Sequence, residues 1–206
     1  MLPEWDIQLE VMELPYLFRT ELQHLPIAER YLRLPQDRVQ QVAKLMGAST
    51  NRRVGLVWTA GEWNSARSVP VEMMAPLLAT EGCEFWNLQV SALSSEEICH
   101  TGGTLREVEA CREGILSLAC AISQLDLVIT VDTLASHLAG ALGIPTWIML
   151  QYAADWRWLT GTPRSPWYPS MRLFRQPSQG DWASVISEVI TALDAWSWEC
   201  RARRIA

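Results

Sequence analysis

The residues best equipped for chemistry stand together at Asp132, Thr133, Ser136 and His137. They follow the apolar run Leu125-Asp-Leu-Val-Ile-Thr-Val131, whose length and β-branched content predict a buried strand. The small-residue stretch 134–142 behind them predicts a helix, ended by Gly143-Ile144-Pro145. A strand that runs straight into a helix delivers Asp132 and Thr133 to the C-terminal end of a sheet, where open α/β sheets bind ligands. The first turn of such a helix carries unpaired N–H groups and the positive end of its dipole, which together suit an anion. The hydroxyls of Thr133 and Ser136 would add donors to phosphate oxygens. The same spacing also fits an ordinary capped helix of the core, and a single histidine such as His137 is more often packed than catalytic.

These residues need a scaffold, and the flanking pattern supplies one. Arg53-Val-Gly-Leu-Val-Trp58 reads as a strand covered on both faces, followed by a polar loop over 61–68. A helix is expected near 71–80, a strand over 84–90, a polar loop over 91–104 with a turn at Gly102-Gly103, and one or two helices over 105–124. Beyond the central motif, 146–150 and 171–175 read as strands and 181–196 as a closing helix capped near Gly180-Asp181. Upstream, 5–11 alternates apolar and polar residues like a half-buried strand. Residues 36–46 read as an amphipathic helix with Val39, Val42, Leu45 and Met46 on one face and Gly47 at its end. Alternating strands and helices over 52–196 predict an α/β, Rossmann-like parallel sheet with helices on both faces. Residues 1–50 are too few for a second such unit, so the chain divides into a strand and linker (1–50) and one α/β domain (51–206).

Composition narrows the partners. Of the 206 residues 49 % are hydrophobic and 19 % charged, enough apolar surface for a packed core. With 17 basic and 23 acidic residues the net charge is −6, which argues against a nucleic-acid surface. Five scattered cysteines without a C-x-x-C pair read as reduced thiols, and three distant histidines make structural zinc improbable. The N-terminus lacks the pattern of a secretory signal. The longest apolar stretch, 138–150, is broken by Gly143 and Pro145 and is too short to span a bilayer. A cytoplasmic protein without a membrane span is expected. Among the 11 tryptophans, Trp156, Trp158 and Trp167 share a segment with Tyr168. They could stack on a base or sugar, or simply cover the sheet edge. Trp196, Trp198 and the basic end at Arg201–Arg204 could form a partner surface or fray.

Val131-Asp-Thr-x-x-Ser-His-Leu-Ala-Gly-Ala-Leu-Gly-x-Pro145 resembles the signature of family 9-type, heptosyltransferase-like glycosyltransferases, in particular transferase-like domains of bacterial tetratricopeptide-repeat proteins. Arg67-Ser68-x-Pro70, Asp155-Trp-Arg-Trp-Leu159, Ser165-Pro-Trp-Tyr-Pro-Ser170, Arg172-Leu-Phe-Arg-Gln176 and Gly180-Asp-Trp182 are similar to further segments of that group, in the same order. The resemblance implies the C-terminal, donor-binding half of a two-domain GT-B fold. It implies that Asp132, Thr133, Ser136 and His137 line the diphosphate and sugar of a nucleotide-sugar donor, with Arg67, Trp58 and Thr59 contributing from the end of the first strand. No Asp-x-Asp motif occurs, in keeping with a family that transfers glycosyl groups without metal or other cofactor and with inversion. Two departures accompany the likeness: Leu134 stands where heptosyltransferases carry glycine, and the family's N-terminal acceptor domain with its catalytic carboxylate has no counterpart, which leaves the catalytic base unassigned. An exposed interdomain face implies self-association or a partner supplying a repeat or N-terminal domain. The alternative is a non-catalytic module that binds a nucleotide or only a protein.

Overall fold

The computed structural model describes residues 7–25, 27, 29–89 and 104–205. Six parallel strands form one sheet: β1 (Arg52–Val57), β2 (Cys83–Asn87), β3 (Leu105–Glu107), β4 (Leu127–Val131), β5 (Thr146–Leu150) and β6 (Met171–Arg175). Their spatial order is β3-β2-β1-β4-β5-β6. Val54 sits opposite Phe85 on one side and Leu127 on the other, and Thr146 opposite both Val128 and Met171.

Every residue of β4 and β5 is buried, because helices cover both faces of the sheet. Along the strands side chains alternate between two cores. Val54, Leu56, Leu127, Ile129 and Phe174 pack with Leu77 of α3 (Ala75–Leu78) and with Val185, Val189 and Leu193 of α6 (Trp182–Ile205). Val57 and Val128 face the opposite layer. There α2 (Gln36–Met46), α4 (Ile115–Ile122) and α5 (Leu134–Ala141) contribute Val42, Ile122 and Ala139. A short α1 (Leu14–Leu17) precedes them and buries nothing. The carboxylate of Asp126 ties the start of β4 to β1, accepting from Arg52 Nη1 at 2.6 Å and from the Arg53 backbone N–H at 2.9 Å.

The α/β, Rossmann-like reading of the sequence holds, with three local corrections. Ile7–Glu10 belong to no ladder and Val11–Glu13 form a 3₁₀ turn; the alternation there has no neighbouring strand to pair with, and Ile7 stays 76 % exposed. The expected residues Trp5 and Asp6 lie outside the described residues, as do 91–103 with the turn at Gly102-Gly103. Leu105–Glu107, expected to be helical, add the edge strand β3 beside Phe85–Asn87, and α4 begins only after Gly114. In α2 the buried positions are Val42 and Met46, while Leu45 faces solvent.

Candidate functional site

From β1 the chain crosses toward β2, and from β4 toward β5, so the two central strands open a crevice at their C-terminal ends. A cavity of about 260 Å³ occupies it, lined by Thr59, Gly61, Gln89, Thr133, Leu134 and Ala135 among others. Its floor behind β1 is held by one side chain. Gln89 accepts from the backbone N–H groups of Trp58 (3.3 Å) and Thr59 (3.2 Å) and donates to the Thr59 carbonyl (2.9 Å). Asn87 fixes that residue in turn, accepting from the Gln89 N–H at 2.8 Å. The loop beyond is closed by Ser68, whose hydroxyl accepts from the Ala60 N–H at 3.0 Å.

The opposite wall is the start of α5. Thr133 is its extended N-cap residue, and no side chain caps the helix. The N–H groups of Leu134 and Ala135, which line the cavity, therefore lack intrahelical acceptors, while that of Ser136 donates to the Thr133 carbonyl at 3.1 Å. Thr133 Oγ1 lies 3.2 Å from Thr130 Oγ1. Arg67 reaches across from the loop after β1. Its Nη1 donates to the Asp132 carbonyl at 3.0 Å and stands 3.9 Å from Asp132 Oδ2, while its guanidinium covers the Trp63 ring at 4.2 Å. Arg67 Nε is buried without a hydrogen-bond partner among the described residues.

His137 closes the other side of Asp132, with Nε2 3.9 Å from Oδ1. Its ring stacks on Trp158 at 5.5 Å, and Nδ1 lies 3.1 Å from the Tyr168 hydroxyl. Burial pushes its pKa below the usual 6.5, opposed by the Asp132 carboxylate. The imidazole is therefore neutral at pH 7, with its side chain 34 % exposed.

The structure thus brings Arg67 and His137 to the two sides of Asp132, next to the cavity that Thr59 and Thr133 line. Two expected side chains do not reach it. Trp58 is 1 % exposed and belongs to the core beneath β1; only its backbone borders the site. Ser136 is fully buried, and its hydroxyl donates to the Thr133 carbonyl at 2.7 Å, tightening the first turn of α5. The Asp132 carboxylate faces Arg67 and His137 and organises them. Sequence reading missed Gln89 and Tyr168 as supports. Gln89 carries no motif, and Tyr168 stands in the sequence only as part of the aromatic cluster and of the segment Ser165-Pro-Trp-Tyr-Pro-Ser170, neither of which gives it a partner.

That aromatic segment splits by burial. Trp158 is enclosed with Ile148, Leu150 and Leu173, covering the sheet beside β6. Trp156 is exposed and meets Trp167 edge-on at 6.1 Å. Arg157 pairs with Asp155 at 3.3 Å, and the backbone at Arg164 forms an isolated antiparallel bridge with that at Arg172. Among the described residues no group of three or more His, Cys, Asp or Glu is placed to hold a metal, and no helix is long and apolar enough to cross a membrane.

This sheet order, with its crevice between β1 and β4, defines a Rossmann-like α/β domain, and solved structures share it. The glycosyl transferase family 9 structure from Veillonella parvula DSM 2008 superposes with a TM-score of 0.58 at 15 % identity, over 82 % of this chain and 54 % of that one. E. coli ADP-heptose lps heptosyltransferase II gives 0.52 at 18 % identity over the same shares, and E. coli heptosyltransferase WaaC 0.52 at 16 % over 73 % and 46 %. The chain therefore spans about half the length of these proteins. In sequence it is similar to Protein FlbA of Caulobacter vibrioides, 33 % identical in an alignment of 164 residues that covers 73 % of this chain and 26 % of FlbA. The chain matches no protein-family model.

Proposed function

We propose that this domain binds a nucleotide-diphosphate sugar and serves as the donor-binding half of a metal-independent, inverting glycosyltransferase of the family 9 type. The observation that carries the reading is the uncapped start of α5 facing a cavity at the sheet's switch point, with the Arg67 guanidinium anchored alongside. Backbone N–H groups and an arginine would neutralise the leaving diphosphate without a cation. Thr133 would add a hydroxyl, and the neutral His137 would meet the sugar edge. The fold shared with family 9 structures supports placing the chain at the C-terminal side of a GT-B enzyme, the acceptor and its base coming from another domain. A repeat-containing protein or an N-terminal domain in the cytoplasm is the partner this reading expects.

A second reading, a module that binds a protein without transferring sugar, is favoured by the many apolar side chains exposed over 7–32. Thermal unfolding with a panel of ADP-, GDP-, UDP- and dTDP-sugars separates the two. A donor at about 100 times its Kd adds roughly 2.7 kcal/mol of stability. That shift should persist in EDTA and vanish in Thr133→Val and Arg67→Ala. No shift with any nucleotide sugar would leave the protein-binding module as the function.

A further inference from the structure

His137, Gly140 and Ala141 occupy one side of α5, three and four residues apart. Each has a neighbour from outside the helix. The Tyr168 ring lies so close to Gly140 that a Cβ there would stand 2.5 Å from Tyr168 Cγ and Cδ1, nearer than any side chain allows. The carbonyl of Ala141, one of the last of the helix and without an intrahelical donor, accepts from the backbone N–H groups of Tyr31 (3.1 Å) and Leu32 (3.2 Å). Gly143, at φ +69°, lets the segment pass: a Cβ there would stand 2.6 Å from the Glu29 carbonyl oxygen. The small residues of the helix thus form a seat for two separate pieces of chain. On that seat the Tyr168 hydroxyl lies 3.1 Å from His137 Nδ1.

We infer that Tyr168, seated against Gly140, is a positioning residue that locks the ring of His137 in one orientation and one tautomer. Stacking on Trp158 with an interplanar angle of 23° fixes the plane of the imidazole. The Tyr168 hydroxyl fixes its rotation, and Nε2 is then directed toward Asp132 and the cavity mouth. A hydrogen bond to one ring nitrogen decides which nitrogen carries the proton. The charged groups around the ring are Asp132 on the turn before α5, Asp155 and Arg157 on the segment after β5, and Arg67 beyond Asp132. None of them touches Nδ1; the Asp132 carboxylate faces Nε2 and favours the proton there, and the phenol then donates to Nδ1 and holds that tautomer. The consequence for ligand binding rests on the donor-site reading above; the lock itself does not.

The test is ¹⁵N NMR of the histidine side chains in the full chain without ligand. Wild-type His137 should show one dominant tautomer, and Tyr168→Phe the averaged shifts of a free imidazole with an altered titration midpoint. Tyr152→Phe, on an exposed turn, should leave these signals unchanged. Gly140→Ala provides a second route: its Cβ would meet both Met171 Cε and the Tyr168 ring, and in the folded variant the His137 shifts should move in the same direction as in Tyr168→Phe. Unchanged His137 shifts in a folded Tyr168→Phe protein, or averaged shifts already in wild type, would overturn the inference. Nucleotide-sugar affinity of the same variants is a separate arm. If the NMR changes appear and no variant or wild type binds a donor, the lock stands and the donor-site reading falls.

Discussion

At the scale of single residues the crevice holds one titrating group with a depressed proton affinity. Burial lowers the pKa of His137 from 6.5. A base whose folded pKa lies below its unfolded value favours folding fully above the unfolded pKa, and that contribution is lost as the pH falls through the folded one. Acidification below about pH 6.5 should therefore lower the melting temperature, and His137→Gln should flatten that limb of the curve. An anion in the crevice works in the opposite sense. The diphosphate of a nucleotide sugar keeps its charge across this range, so protonating His137 beside it adds attraction. Calorimetric titration should show affinity rising from pH 7.5 to 5.5 in wild type and level in His137→Gln. A flat wild-type profile would place the diphosphate away from His137.

At the scale of elements, α5 joins both functions of its small residues. Its first turn faces the cavity, and its last turn carries residues 29–32 through Gly143. Replacing Gly143 by alanine imposes φ +69° on a residue with a Cβ and drives that carbon against the Glu29 carbonyl. The strain alone costs on the order of 1–3 kcal/mol. Gly143→Ala should lower thermal stability accordingly, and hydrogen exchange at the Tyr31 and Leu32 amides should accelerate because their acceptor, Ala141, shifts. Slow exchange at both amides in the variant would show that the segment is held by other contacts. The strand–turn–helix around Asp132 was legible because local pattern settles it: an apolar run, a polar pair, small residues, then Gly and Pro. β3 was not, because three residues at a sheet edge are defined by pairing with β2 and carry too little period of their own. The side chains of Trp58 and Ser136 misled for a related reason. Position in a motif gives the backbone's place at the strand end, while burial depends on packing from helices distant in sequence. Gln89 lay beyond reach entirely, since its role is two backbone N–H groups thirty-odd residues away in the chain.

At the scale of the whole molecule, apolar surface is unevenly spread. The core sits on both faces of the sheet, yet residues 7–32 expose Ile7, Val11, Met12, Tyr16, Leu17 and Phe18, several by more than half of their area. None of the elements Val11–Glu13, Leu14–Leu17 and Leu22–His24 buries a residue. A run of large apolar side chains at this density is the kind of surface that proteins cover. With about 25 cal/mol for each Å² of apolar area removed from water, covering even part of it outweighs the modest repulsion expected from a net charge of −6. The isolated chain should therefore self-associate through this segment. Sedimentation should show the average mass rising with concentration, and the double substitution Leu17→Ser with Phe18→Ser should return it to the monomer value. Because both residues are exposed and neither belongs to a core cluster, the melting temperature of the α/β domain should stay unchanged in that variant. High salt, which screens the net charge but strengthens apolar burial, should drive the wild type further toward the associated form. A chain that remains monomeric at high concentration and high salt would mean that these side chains shield one another in solution.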